Sequence, residues 1–152
     1  MSFWDSLKIS ASGLYAQRLR LDLISNNIAN AQTTSTAEGG PYQRQDVVFS
    51  ATNQKSFLPT FIQAKHGTEL QAGNIGVNGV QVAQITTDTT EGSRVYDPTH
   101  PDADADGYVT YPNVDLVVEM TNMLSASRSY EANLSVIDAS KRMAIKALDI
   151  SR

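Results

Sequence analysis

The chain has 152 residues, a formal net charge of −4 and no cysteine. This acidic balance argues against nucleic acid as the main partner, since the phosphate backbone attracts basic proteins. The lack of cysteine excludes disulfides, iron–sulfur clusters and thiol catalysis. No apolar run approaches the length of a membrane span, and the first residues lack the basic start and continuous apolar core of a cleaved signal peptide.

Residues 6–31 are predicted to form a helix that carries two apolar stripes. One stripe repeats every seven residues, and the other falls on roughly the opposite face at 100° per residue. The Leu7 stripe consists of Leu7, Leu14, Leu21 and Ile28, and the Ile9 stripe consists of Ile9, Ala16, Leu19 and Leu23. Because a helix hairpin needs one apolar seam, two stripes predict two partners. We expect the Leu7 stripe to pack on the chain's own C-terminal helix and the Ile9 stripe to face neighbouring molecules.

Small and polar residues interrupt this helix near both of its ends. The run from Ser10 to Gly13 either lets another backbone approach closely or marks a frayed first turn. Ser25-Asn26-Asn27-Ile28-Ala29-Asn30 is poor in helix formers and is predicted to end the helix. Its asparagines, Asn26, Asn27 and Asn30, can cap the helix or form hydrogen bonds to another helix.

The centre of the chain, residues 32–112, is predicted to be a small β-rich domain. Residues 32–41 have the composition of a linker, and residues 51–75 are expected to form a long, flexible excursion. Strands are predicted at residues 42–50, 77–87, 94–96 and 108–111. The irregular spacing of Val80, Val82 and Ile85 indicates a β-bulge in the second of these strands.

Residues 113–150 are predicted to form one long helix with Asn113 as its N-cap. Steps of four and three residues define a seam of the coiled-coil type. This predicted seam consists of Leu116, Met120, Met123, Ser127, Tyr130, Leu134, Ile137, Lys141, Ala144 and Leu148. The fold is therefore predicted to be α+β and mainly α. Residues 1–31 and 113–152 would form a coiled-coil-like core domain of paired terminal helices, with residues 32–112 as the middle domain.

The sharpest local motif is Asp102-Ala103-Asp104-Ala105-Asp106-Gly107, which matches the first half of an EF-hand calcium loop. The match fails further on, because Asn113 occupies the position of the bidentate glutamate. Pro98 and Pro101 also preclude the incoming helix. A solvated turn is the first interpretation of this motif, and a calcium-binding module is the alternative.

No catalytic constellation is visible in the sequence. The two histidines, His66 and His100, have no accompanying nucleophile, and no metalloprotease, hydrolase or phosphate-loop motif is present. We therefore predict a protein that is not an enzyme and that needs no cofactor or metal.

Several motifs, spread over nearly the whole chain, resemble those of one family. Ser10–Leu14 and Ser25–Asn30 resemble the N-terminal signature of the bacterial flagellar rod, hook and axial proteins. The further motifs, which resemble proximal-rod members of that family, are Thr34–Tyr42, Tyr96–Pro98, His100–Asp104, Gly107–Val109, Pro112–Val114, Glu119–Met120 and Ser127–Asn133. One departure is Thr33-Thr34-Ser35-Thr36, where the family often has Thr-x-Gly-Tyr-Lys.

The resemblance implies a structural subunit of the flagellar basal body. Many copies would self-assemble helically around an export channel, form the proximal part of the rod in the periplasm and transmit torque. It also implies export by the flagellar type III apparatus without a cleaved signal peptide. The expected partners are the chain's own copies, other proximal rod proteins, the rod–ring adaptor protein and the distal rod protein, with no nucleic acid and no direct membrane span.

We expect the apolar stripes and the asparagines of the N-terminal helix to make the assembly contacts. On the C-terminal helix the expected contact residues are Leu116, Met120, Met123, Tyr130, Leu134, Ile137 and Leu148.

Overall fold

The computed structural model describes residues 3–37, 39–52 and 79–150. In chain order the elements are α1 (Phe3–Ala29), β1 (Gln45–Ala51), β2 (Val80–Thr87), β3 (Arg94–Tyr96), β4 (Tyr108–Thr110) and α2 (Leu116–Ile150). Two long terminal helices therefore flank a small strand-containing middle. This arrangement confirms the predicted α+β, mainly α, fold.

The two helices pack against each other in antiparallel directions. Near the start of α1, Gly13 lies directly against the side chain of Asn133. Near the end of α1, Asn27 donates a hydrogen bond to Glu119, close to the start of α2. A side chain at position 13 would meet Asn133, so a glycine is needed there for the close approach of the two helices. This agrees with the first of the two interpretations of the run from Ser10 to Gly13.

Small and polar residues build the seam between the helices. The buried residues on this pair are Ser10, Ala16, Ile24, Asn27, Glu119, Ala126 and Ser140. Ile24 is the one large aliphatic side chain among them. Since hydrophobic stabilisation scales with apolar area removed from water, this seam contributes less than a leucine-rich one would.

The seam predicted for α2 is only half correct for contacts within the chain. Its members Met123, Tyr130, Ile137 and Ala144 are partly buried, but Leu116, Met120, Leu134 and Leu148 are exposed. Four other residues complete the observed seam, and each lies one position before a predicted member. They are Glu119, Ala126, Asn133 and Ser140. Small and polar side chains occupy these positions, so a search for apolar periodicity passes over them.

The Ile9 stripe lies on the face of α1 to which β1 and β2 are bonded, which corrects the prediction that it faces other molecules. Ser12 Oγ accepts a hydrogen bond from the Val80 backbone N–H, and Asn27 bonds to Gln45. These two anchors bracket the stripe on one face of α1, and its member Ala16 is 1% exposed. The Leu7 stripe lies on the other flank of the seam, and its four members are partly buried.

The strands form two separate antiparallel pairs, β1 with β2 and β3 with β4. Val48 pairs with Gln84 and Phe49 with Val82, so Ala83 is the extra residue of a bulge. The bulge predicted in the second strand is therefore confirmed. The predicted excursion at 51–75 lies outside the described residues except for its first two positions.

The N-cap predicted for α2 is wrong by two residues. Asp115 caps the helix, because its Oδ1 accepts hydrogen bonds from the backbone N–H groups of Val117 (2.8 Å) and Val118 (3.2 Å). The Asn113 side chain instead reaches Asp88. An aspartate is as good a cap as an asparagine. The chain makes a tight turn just before the helix, where the Val114 N–H donates to the Pro112 carbonyl oxygen at 2.9 Å, so the helix begins after Asp115.

The close approach at Gly13 predicts the effect of a bulky side chain. A Cβ atom there would lie 3.0 Å from Asn133 Oδ1, so Gly13→Leu should lower the free energy of unfolding by about 1–3 kcal/mol through overpacking. Thermal unfolding followed by circular dichroism measures this loss. Ala11→Leu, on the exposed face of the same helix, is the matched control. Equal melting temperatures for the two variants would contradict the close approach.

Candidate functional site

Asn27 is the centre of a polar junction where α1, α2 and β1 meet, and its side chain is fully buried. Its Nδ2 donates to the Gln45 carbonyl oxygen (2.8 Å) and to Glu119 Oε2 (3.3 Å). Its Oδ1 accepts from the Tyr42 hydroxyl (2.9 Å) and from the Gln45 backbone N–H (3.0 Å). The amide therefore uses both donors and both acceptor sites, which removes the penalty of burying it.

Glu119 is the charged member of the junction and is 1% exposed. Arg44 Nε donates to its Oε1 at 2.8 Å, while Asn27 bonds to the other carboxylate oxygen. A buried carboxylate costs several kcal/mol unless it is paired and hydrogen-bonded. Both oxygens of Glu119 have a partner, so the pair joins α2 to the start of β1 without leaving a charge unpaired.

Local structure brings these residues together. Glu119 lies in the first turn of α2, just after the Asp115 cap, where the partial positive charge of the helix N-terminus favours a carboxylate. Asn27 lies in the last turn of α1. The chain between them returns through a closed loop, in which the Tyr42 N–H donates to the Thr33 carbonyl oxygen at 3.0 Å. That loop places Tyr42 and Arg44 beside the helix ends.

The junction shifts the protonation equilibria of two residues. Burial, followed by the charge of Glu119, raises the pKa of the Tyr42 phenol above its usual value. Burial alone would lower the pKa of the Arg44 guanidinium. The hydrogen bond to Glu119 and the negative charges of Glu119 and Asp46 outweigh the effect of burial, so the pKa of the Arg44 guanidinium is raised. The junction therefore favours a protonated Tyr42 and a charged Arg44.

The three asparagines predicted as contact residues divide between two roles. Asn30 Nδ2 donates to the carbonyl oxygen and to Oδ1 of Asn26, both at 2.9 Å, and so closes the end of α1. Asn27 alone reaches across to α2. Both roles considered from the sequence, capping and cross-helix bonding, occur in one hexapeptide. The partners Tyr42, Arg44 and Glu119 were missed, since no local pattern links residues so far apart in the chain.

The aspartates of the EF-hand-like motif bond to separate partners. Asp102 Oδ2 accepts from the Thr34 hydroxyl at 2.7 Å, and Asp104 pairs with Arg94 at 3.3 Å. Within the described ranges, no three histidine, aspartate or glutamate side chains lie close enough together to hold a metal. The geometry therefore gives the calcium alternative no support.

Many large apolar side chains are exposed along α2, on several faces of the helix. On α2 the exposed large hydrophobic residues are Leu116, Val117, Val118, Met120, Leu124, Leu134, Val136, Met143, Ile145 and Leu148. This exceeds the isolated apolar residues expected on a monomer surface and is typical of a protein that binds others along its length. Neither helix, over the residues described, is apolar enough across a sufficient length to cross a bilayer.

Two family models match this chain, and each covers one side of the Asn27–Glu119 contact. A family model described as "Flagella basal body rod protein" matches residues 7–35, which include Asn27. A second, described as "Flagellar basal body rod FlgEFG protein C-terminal", matches residues 105–150, which include Glu119. The hydrogen bond between these two residues thus joins the two regions by which the family is recognised.

Full-length relatives decide the assignment. The flagellar basal-body rod protein FlgC of Borreliella burgdorferi is 44% identical over 159 aligned positions, covering 99% of this chain and 98% of that protein. The FlgC proteins of Bacillus subtilis and Salmonella typhimurium are 44% and 36% identical, each over the whole of both chains. The chain belongs to the FlgC family of flagellar basal-body rod proteins. This confirms the family resemblance found in the sequence and extends it across residues 51–75.

The junction predicts a marked difference between two adjacent asparagines of this FlgC-family chain. Asn27→Ala leaves the Tyr42 hydroxyl, the Gln45 backbone and Glu119 each short of a partner. We expect the free energy of unfolding to fall by about 2–4 kcal/mol, since each unsatisfied buried group costs about 1–3 kcal/mol. Asn26→Ala removes only an exposed capping contact and should cost about 1 kcal/mol or less. Urea unfolding measures both, and equal losses would contradict the junction.

The raised pKa of Tyr42 predicts a loss of stability in alkaline solution. Above pH about 10 the unfolded chain releases this proton while the folded chain retains it, so the free energy of unfolding falls as pH rises. In the Tyr42→Phe variant, the fall in the free energy of unfolding with rising pH should lose the contribution of this phenol. Absorbance titration of tyrosinate in the two proteins gives an independent check. A Tyr42 phenol that loses its proton at the ordinary pKa of a free tyrosine side chain would contradict the expected shift.

Proposed function

We propose that this FlgC-family chain is a structural subunit of the proximal part of the rod, in the periplasm. Its copies would stack helically with other rod proteins around the export channel and transmit torque along the rod. The observation that carries the proposal is the combination of FlgC family membership with the exposed apolar surface of α2. That surface suits an assembly subunit better than an isolated molecule.

The energetics of the helix pair support this role. The seam within the chain buries few large side chains, whereas α2 exposes many. Fully burying one such side chain stabilises an assembly by about 1.5–3 kcal/mol. A chain built in this way gains most of its hydrophobic stabilisation only when neighbouring subunits cover α2.

The polar junction suits a subunit that carries load. Asn27, Arg44 and Glu119 join the end of α1, the start of α2 and the start of β1 through side chains with matched partners. Directional hydrogen bonds and an ion pair hold an orientation more strictly than apolar contact does. Force applied to the helices would therefore reach the β1–β2 hairpin through fixed contacts.

The domain division stays a proposal in a modified form. Residues 1–31 and 113–152 would form the terminal helical core and residues 32–112 the middle region. The β1–β2 hairpin contacts α1, whereas β3 and β4 contact chiefly each other. We assign the β1–β2 hairpin to the same packed unit as the helices, with the β3–β4 hairpin as the projecting part.

The expected partners follow from rod assembly. They are copies of this chain, other proximal rod proteins, the rod–ring adaptor protein and the distal rod protein, after export through the flagellar type III apparatus without a cleaved signal peptide. A helix seam of small and polar residues opposes unfolding less than a leucine-rich seam, which suits passage through a narrow channel. The role is structural and not catalytic, and no observation favours the calcium-binding alternative.

Gene deletion in the native bacterium tests the proposal. Cells without the chain should be non-motile, and their purified basal bodies should lack the rod, since the subunits above it have no base on which to assemble. Mass spectrometry of wild-type basal bodies should find this chain with its N-terminal residues intact. Complementation with the intact gene is the control. Complete rods in the deletion strain would overturn the proposal.

A further inference from the structure

The face of α1 that points away from α2 has the spacing of a second coiled-coil seam. Steps of three and four residues connect its members, which are Lys8, Ala11, Tyr15, Arg18, Asp22, Ser25 and Ala29, and all of them are exposed. We call this set the outer α1 face. Within the described part of the chain, Arg18 makes no ion pair, although it lies at the centre of the face. A 3.5-residue spacing is typical of a helix surface that packs along another helix.

A matching surface runs along α2. Its members, again in steps of three and four, are Met120, Leu124, Ser127, Glu131, Leu134, Asp138, Lys141 and Ile145. All are exposed apart from Ser127, which is partly buried. We call this set the outer α2 face. Glu131 lies near its centre and has no ion-pair partner among the residues described.

We propose that the outer α1 face of one copy packs antiparallel on the outer α2 face of the next copy, in the register that sets Arg18 opposite Glu131. This inference rests on the proposed assembly role and names the contact through which copies join. The direction follows from the fold. Because α1 and α2 are antiparallel within each copy, two copies that point the same way along an axis bring α1 antiparallel to the neighbour's α2.

Charge and size select the register. With Arg18 opposite Glu131, Tyr15 meets Leu134 and Ala29 meets Met120, which sets an aromatic ring or a small side chain against a large apolar one. Asp22 then lies beside Arg128 of the neighbour. Lys8 faces Lys141, but Asp138 lies one turn away and offsets that repulsion.

Shifting the register by seven residues in either direction loses these matches. One shift sets Arg18 against Leu124 and Asp22 against Met120. The other pairs Arg18 with Asp138, but it sets Asp22 against Leu134. A charged group pressed against an apolar side chain loses hydration without gaining a partner. The register with Arg18 opposite Glu131 is the one in which the central charges and the apolar residues match together.

Cysteine crosslinking in assembled basal bodies tests the contact directly, because the chain has no cysteine of its own. Ser25→Cys and Leu124→Cys face each other in the proposed register. Co-expression of these two single variants should give a disulfide-linked dimer of this chain at least tenfold above either variant alone. Ser25→Cys with Glu131→Cys tests a register shifted by seven residues. Ser25→Cys with Asp138→Cys tests parallel packing with Arg18 opposite Glu131, and both control pairs should stay uncrosslinked.

Charge exchange gives a second readout that does not depend on disulfide chemistry. Arg18→Glu and Glu131→Arg should each reduce basal-body yield and motility several-fold, and the double variant should restore most of the loss. A double variant no better than the single variants would overturn the proposed pairing. So would equal crosslinking of the control pairs, or crosslinks formed only to a different rod protein. Absence of the chain from basal bodies would instead refute the assembly role itself.

Discussion

The buried contact between Asn27 and Glu119 is the constraint on which the arrangement of the chain depends. It joins two residues 92 positions apart and sets the register in which the terminal helices meet. The same two side chains also hold Tyr42, Arg44 and Gln45, so the hairpin that follows takes its position from the helix pair. Because the contact is polar, it specifies one geometry. An apolar seam would tolerate sliding by a turn.

The distribution of apolar residues is the reverse of that in an ordinary two-helix hairpin. The interior of the pair holds glycine, alanine, serine and asparagine at its closest approaches, and the large aliphatic residues of α2 lie outside. A monomer with this distribution gains less hydrophobic stabilisation from its own helix seam than a leucine-rich pair would. Its hydrophobic free energy is released on assembly, which couples the ordering of the subunit to its incorporation.

The sequence predicts the fold class, both helices, the four strands and the bulge, because these features depend on local spacing and composition. It predicts Asn27 as a contact residue but not its partners, since Glu119 and Arg44 carry no signal that distinguishes a buried ion pair from a solvated one. Half of the predicted seam of α2 is displaced by one residue for a related reason. Met120 and Leu134 satisfy a hydrophobic pattern, whereas the residues that contact α1 include Glu119 and Asn133. The roles of the two α1 stripes depend on where the hairpin lies, and the spacing within α1 carries no information about that position.

The offset between inner and outer faces differs for the two helices, and this difference sets the curvature of any wall they build. On α1 the outer positions follow the inner ones by one or two residues, as Ser25 follows Ile24 and Tyr15 follows Gly13, which is a rotation of about 150° on average. On α2 the offset is one residue, as Leu134 follows Asn133, which is a rotation of about 100°. If copies join through these faces, a row of alternating helices bends less at each α1 than at each α2. Each α2 bends the row in the same sense, so the row curves and cannot extend as a flat layer.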